Sequence, residues 1–249
     1  MIVEAMVRHG WWSLRGRFWM ALVVVVAHAV GVVFLYGRYG GTVPADWELA
    51  SEDRAGVEAT LGATYVDYLR VTWAGGDLGG LLAVLAIALC VGGAAAERRE
   101  STADFTLSLP VSRSRWLLVR AGLCMALLLL LASVSAGVVV LGGIVADATS
   151  PLAPVAAATL LAGLGPAYAV ALALATTTVT RDAIGAAVLA LAVLYVLDGS
   201  GVLAAWHPSV LLDVRSWTAG PPWRPILAAS FLAGGFLLIA IRRFDRVDA

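Results

Sequence analysis

Residues capable of chemistry are few in this chain, and they are scattered. His9, His28 and His207 lie far apart, with no paired His or Glu at the spacing that would hold a catalytic metal. Glu97 and Glu100 stand three residues apart, but no companion histidine motif accompanies them. The tetrapeptide Gly-x-Ser-Gly, which an intramembrane serine protease would need, does not occur, and neither does a Gly-rich phosphate loop. Cys90 and Cys124 each fall inside an apolar run, where thiols are usually inert packing residues, and no metal-ligand spacing surrounds them. The motif content therefore argues against an enzyme.

What remains is the one long polar loop on the side that the arginine distribution makes cytoplasmic, from Glu97 to Arg115: Glu-Arg-Arg-Glu-Ser-Thr-Ala-Asp-Phe-Thr-Leu-Ser-Leu-Pro-Val-Ser-Arg-Ser-Arg. Ala103, Phe105, Leu107 and Leu109 alternate with polar residues, a strand period, although an isolated strand in a short loop has no edge to pair with. Phe105 and Leu109 equally fit one face of a short helix ended by Pro110, with Ser112 placed to cap the helix that follows. Periodicity leaves the two readings open.

The elements that must hold this loop are apolar. The chain of 249 residues is 61% hydrophobic and 14% charged, with a mean hydropathy of +0.89. Soluble domains average about 45–50% apolar and about 25% charged, so the excess points to a bilayer as solvent. All 17 basic residues are Arg and the formal net charge is zero; a nucleic-acid module would carry a basic surplus, and no nucleic-acid partner is expected. Six apolar runs, 18–36, 78–96, 116–145, 155–179, 183–205 and 225–241, predict an all-α integral membrane protein with six transmembrane helices. Arg8, Arg15 and Arg17 precede the first run, and Arg98, Arg99, Arg113 and Arg115 lie between the second and third. Arg181 separates the fourth and fifth, and Arg242, Arg243 and Arg246 follow the sixth. The intervening segments are acidic or mixed, so the positive-inside rule puts both termini and the 97–115 loop in the cytoplasm, with 37–77 and 198–224 outside.

Ahead of the first span, Val3, Val7, Trp11, Leu14 and Phe18 repeat at three- and four-residue steps. This predicts an amphipathic helix over 1–17 lying in the membrane interface. The first apolar run is too long for a signal-peptide core and is read as a span. In the fifth, Asp198-Gly199-Ser200-Gly201 interrupts after about 15 apolar residues, short of a full crossing; the helix either ends there or breaks and continues to His207-Pro208.

With this layout, the motif resembles the permease subunits of ABC-2 type transporters, which carry a Glu, then Gly-Thr, then Leu leading to Leu-Pro-Val-Ser-Arg between their second and third spans. Here Glu97 and Thr102 precede Leu107-Ser108-Leu109-Pro110-Val111-Ser112-Arg113, and Ser101 replaces the family's Gly. The resemblance covers the whole chain in layout but only about 17 residues in motif. It implies a single transmembrane permease domain over 1–249 in a bacterial or archaeal cell membrane, and export as the direction of transport. The loop would then be a coupling helix seated in a separate ATP-binding cassette subunit. Glu97, Arg98, Arg99, Glu100, Thr102, Phe105, Leu107, Leu109, Pro110 and Arg113 would make that contact, apolar anchors inside a charged rim. The chain would need no cofactor of its own, since ATP is bound by the partner, and a second permease chain would complete the pathway.

Ionisable groups at membrane depth are functional candidates by default. His28, near the middle of the first span, is either a pathway residue or a neutral imidazole bonded to a neighbouring helix. Tyr168 either lines the pathway or packs. The hydroxyls of Thr176, Thr177, Thr178 and Thr180 are placed to bond back to the preceding turn. A non-transporting membrane partner, using the same loop for assembly or signalling, is the alternative function.

Overall fold

Away from water, backbone N–H and C=O groups must find partners within the chain, and a helix satisfies them segment by segment. The computed structural model describes residues 2–39, 64–74, 77–99, 112–146, 152–180, 182–199 and 223–246. Among them helix is the only regular element: α1 (Ile2–Tyr39), α2 (Tyr65–Tyr68) running into a π-helical turn (Leu69–Ala74), α3 (Asp77–Arg99), α4 (Arg113–Val145), α5 (Leu152–Leu164), α6 (Ala167–Val179), α7 (Ala183–Gly199) and α8 (Trp223–Arg246).

Among the described residues, four helical segments are long and apolar enough to cross a membrane: Glu4–Arg38, Ser114–Val145, Val155–Val179 and Ile226–Phe244. Two further apolar stretches, Leu78–Val91 and Ala183–Leu197, are shorter. These segments fall on the six expected runs, but the helix of the fifth reaches only Gly199, and Ser200, Gly201 and the rest of that run to 205, where the helix was expected to end or break, lie outside the described residues.

The expected interfacial helix over 1–17 and the first span form one continuous helix of 38 residues, about 57 Å long at 1.5 Å per residue. No Pro or cap interrupts it near Arg17. Its inward stripe keeps the expected Leu14 and Phe18 but departs from the expectation at Val7 and Trp11. Met6, Leu14, Phe18, Ala21, Val25, Ala29 and Val32 are buried, whereas Val7 is exposed and Trp11 only partly covered. Steps of three and four residues carry this stripe along the whole helix, and it packs chiefly on α4.

α1 and α4 run side by side in the same direction. A Cβ on Gly10 would lie 2.9 Å from Leu123 Cδ2 near one end, and one on Gly142 would overlap both γ-methyls of Val33 near the other. Residue numbers thus rise together along the two helices, as they must if a single return helix, α3, separates them. Glycine at 142 is what lets the two backbones approach.

The fourth apolar run is broken. Gly165-Pro166 separates α5 from α6, because proline lacks the N–H for the next helical bond and its ring crowds the preceding turn. Gly165 N–H still donates to Leu161 O at 2.6 Å, and Val170 N–H to Pro166 O at 3.0 Å, so the chain resumes its helix at once. Every residue of α6 from Tyr168 to Thr178 is buried. It touches α3, α4, α7 and α8, and its alternating alanines let all four come close. The core of the bundle is therefore this half-helix.

Outward faces are apolar too. Met20, Phe34, Leu141, Ile184, Tyr195 and Phe231 are exposed, as expected where lipid rather than water is the neighbour.

Candidate functional site

The expected coupling loop is framed by two helix ends. α3 carries the backbone of Glu97, Arg98 and Arg99 to its last turn, and α4 begins at Arg113. Ser112 caps α4 as its sequence position suggested: it is extended (φ −64°, ψ 141°), and its Oγ accepts from Arg115 N–H at 3.4 Å. Glu100, Thr102, Phe105, Leu107, Leu109 and Pro110 lie outside the described residues.

Just inside the loop, Arg and aromatic side chains bind the ends of α1, α4 and α8 together. Trp116 stacks on Phe244 of α8 with ring centroids 5.6 Å apart and planes 17° apart. The Arg120 guanidinium sits 5.5 Å from the Trp116 ring, and its Nη2 donates to Ser13 Oγ of α1 at 3.4 Å. Arg120 is only 4% exposed. On α1, Trp11 and Phe18 pack at 5.5 Å, and Arg15 lies over Trp12 at 4.1 Å. The Trp116–Phe244 stack and the Arg120–Ser13 bond join α4 to α8 and α1, while the α1 pairs order that helix's own face. The start of α4 is thus in direct contact with both α1 and α8.

The turn between α6 and α7 is also capped. Asp182 Oδ1 accepts from Gly185 N–H at 2.6 Å and starts α7, while Arg181 lies outside the described residues. Thr176, Thr177 and Thr178 hydroxyls donate to carbonyls three residues back at 3.0, 2.7 and 2.7 Å. Thr180 Oγ1 donates to Thr176 O at 3.0 Å. The threonine cluster therefore serves its own helix end.

The two depth candidates separate. Tyr168 is 4% exposed at the start of the buried stretch of α6, a packing position. His28 flanks the buried stripe of α1, and neither Nδ1 nor Nε2 has a hydrogen-bond partner among the described residues although both are buried. The neighbouring-helix bond expected for a bland structural histidine is not formed there. The structure does not bring His28 and Tyr168 into one site.

Sequence reasoning missed the segment Tyr65–Ala74. It read 37–77 as an acidic outer loop, whereas this part of it folds back into the bundle. Tyr65, Tyr68, Leu69 and Trp73 are all at least 95% buried. Tyr65 Oη donates to Val139 O at 2.6 Å, Tyr68 Oη to Val32 O at 3.2 Å, and Trp73 Nε1 to Ser135 Oγ at 2.9 Å. Tyr36 of α1 packs against both tyrosines at 4.7 and 5.1 Å. Ser135 lies ten residues before the end of α4, so the indole reaches about 15 Å below that end. Irregular backbone at such depth survives because helices surround it. The spacing of Tyr65, Tyr68, Leu69 and Trp73, at three, four and eight residues, was the available signal. Burial and the ring of Tyr36 and Tyr68 push the Tyr65 phenol up to about 12.

Comparison with models of known protein families and with curated proteins finds no match.

Proposed function

We propose that this chain is the membrane-spanning permease subunit of a two-component, ATP-driven transporter, with ATP hydrolysed by a separate cassette subunit. On this reading the six apolar helices all cross, both termini are cytoplasmic, and two permease chains enclose a pathway that exports its substrate across a bacterial or archaeal cell membrane. The observation that carries the reading is the loop motif ending Leu107-Ser108-Leu109-Pro110-Val111-Ser112-Arg113, set between two helices. The parallel course of α1 and α4 supports it, since a single return helix between them leaves the loop on the same side as the N-terminus. The Arg-aromatic contacts give the loop's motion a route into the bundle.

Apolar anchors inside a charged rim suit a groove on a soluble partner. Phe105, Leu107 and Leu109 are the anchors, and Arg98, Arg99, Glu100, Arg113 and Arg115 the rim. The test is co-expression with a cassette ATPase encoded beside this chain, purification in lipid, and assay of ATP hydrolysis. Phe105→Asp combined with Leu109→Asp is expected to abolish association and ATPase stimulation while leaving membrane insertion intact. A double variant that binds and stimulates normally removes the coupling assignment and favours a membrane partner without transport.

A further inference from the structure

Met6, Gly10, Ser13 and Arg17 follow one another at four-, three- and four-residue steps, so they share the face of α1 that lies against α4. Gly10 meets Leu123 there, and Ser13 Oγ accepts from Arg120 Nη2 at 3.4 Å while donating to Gly10 O at 2.9 Å. Arg120 is buried, and a guanidinium carries five N–H donors, so one bond to Ser13 does not exhaust it. Arg17 stands one turn along from Ser13, and its Nη1 is buried with no hydrogen-bond partner among the described residues. His9, Gly10, Trp116, Arg120 and Leu123 line a cleft between the two helices with about 20 Å³ of free space, room for one oxygen atom the size of a water. Along α1 and α4 the only acidic residue is Glu4, which is exposed.

The outward side of α1 changes character at this level. Arg8, His9 and Arg15 are exposed before it, and Met20, Val23 and Val24 after it, with Trp12 and Trp19 exposed at the junction. Indole rings favour the headgroup level of a bilayer. From Phe18 to the end of α1 the helix rises about 32 Å, against roughly 30 Å for a hydrocarbon core. Arg17 therefore stands where acyl chains give way to headgroups, with Arg120 and the cleft on the headgroup side.

We propose that this cleft binds the phosphate group of an anionic phospholipid. One phosphate oxygen enters between α1 and α4 onto Arg120, with His9 at the mouth, and a second meets Arg17. A phosphate diester is acceptor-only and negatively charged, which is what donors of two guanidiniums recognise. The bulk of the headgroup stays outside, because the cleft admits a single oxygen. The acyl chains then run along the apolar flank of α1 past Trp19, against Met20, Val23 and Val24. Free phosphate offers the same oxygens but has no chains to cover that flank. The bound lipid would tie α1 to α4 at the membrane surface. The site needs only the α1–α4 contact and is independent of the transport reading, which adds only that the leaflet is the cytoplasmic one.

The test takes the full chain in detergent, stripped of lipid, and titrates it with phosphatidylglycerol while native mass spectrometry counts the molecules retained. Phosphatidylcholine and inorganic phosphate are parallel arms. One phosphatidylglycerol per chain is expected to saturate before any other binds. Phosphatidylcholine is expected to bind at least about fivefold more weakly, because its choline cation cancels the attraction of the arginines. Inorganic phosphate is expected not to displace the lipid. Arg120→Gln and Arg17→Gln should each weaken retention at least about fivefold, the worth of one cation near an anionic headgroup. Arg8→Gln, exposed at the same end of α1, should change it less than about twofold. Circular dichroism shows whether each variant is folded; if Arg120→Gln is not, Arg17→Gln and the comparison of lipids on the unaltered chain still decide. Equal retention of phosphatidylcholine, or an equal loss in Arg8→Gln, would reveal diffuse surface attraction and overturn the proposal. Inorganic phosphate that binds as tightly as the lipid would make this a free-anion site and overturn it too.

Discussion

Removing the Ser135 hydroxyl tests how the buried aromatic segment is held. Trp73 is 1% exposed and Ser135 fully buried, and the indole N–H donates to the hydroxyl at 2.9 Å. Ser135→Ala leaves that N–H without its acceptor in a space where water cannot follow. An unsatisfied buried donor costs about 1–3 kcal/mol. Hydrogen bonds between membrane helices average only about 0.6 kcal/mol, because the unfolded chain in lipid finds other partners. Trp73 differs in standing on a short segment of an acidic loop, which in the unfolded state returns to water. We therefore expect Ser135→Ala to cost about 1–2 kcal/mol. Trp73→Phe loses ring volume but frees the serine to bond its own helix, as Ser133 does with Leu129 O at 2.7 Å. The double variant should then cost little more than Trp73→Phe alone, giving a coupling of about 1 kcal/mol in a double-mutant cycle. Equilibrium unfolding in mixed detergent micelles, followed by helical circular dichroism, measures all four proteins. A Ser135→Ala cost below about 0.3 kcal/mol, or strictly additive variants, would refute the reasoning.

The Tyr65 phenol, raised in the folded state to about 12, holds its proton where an unfolded tyrosine near 10 has lost it. Its contribution to stability is therefore full below pH 10 and is lost as pH rises through 12; Tyr65→Phe should flatten the fall in stability over that window, and ultraviolet titration should lose its latest tyrosinate. Gly142→Ile drives a side chain into Val33 and should destabilise the chain by about 1–3 kcal/mol, with partial rescue by Val33→Ala, both read by the same unfolding assay. Pro166→Ala restores the missing N–H between two buried helices, so α5 and α6 should straighten into one. Spin labels at the exposed positions Leu160 and Val179 should then separate measurably, and an unchanged distance would mean that neighbouring helices impose the bend.

Much of the helix content was legible because 18–25 apolar residues in a row leave a membrane chain few alternatives. Ser112 was readable as a cap from one polar residue placed before an apolar run, and the threonine cluster from hydroxyls near a helix end. The stripe expected before the first span was right at Leu14 and Phe18 but one residue out of phase at Val7, where Met6 is the residue that packs inward. Gly165-Pro166 was visible in the sequence, but a long apolar run masked it. Tyr65 to Trp73 carried a helical spacing that the surrounding acidic residues obscured, because loop composition was read as an average.

The central claim is that residues 97–113 meet an ATP-binding subunit, and photo-cross-linking from position 105 tests it most directly. A benzoyl-phenylalanine in place of Phe105, in membranes containing the co-expressed cassette ATPase, is predicted to give one cross-linked product that also labels with a photoreactive ATP analogue. The same group placed at Phe231, on the exposed face of α8, should give none. Cross-links from position 105 only to lipid or to a second copy of this chain would contradict the account.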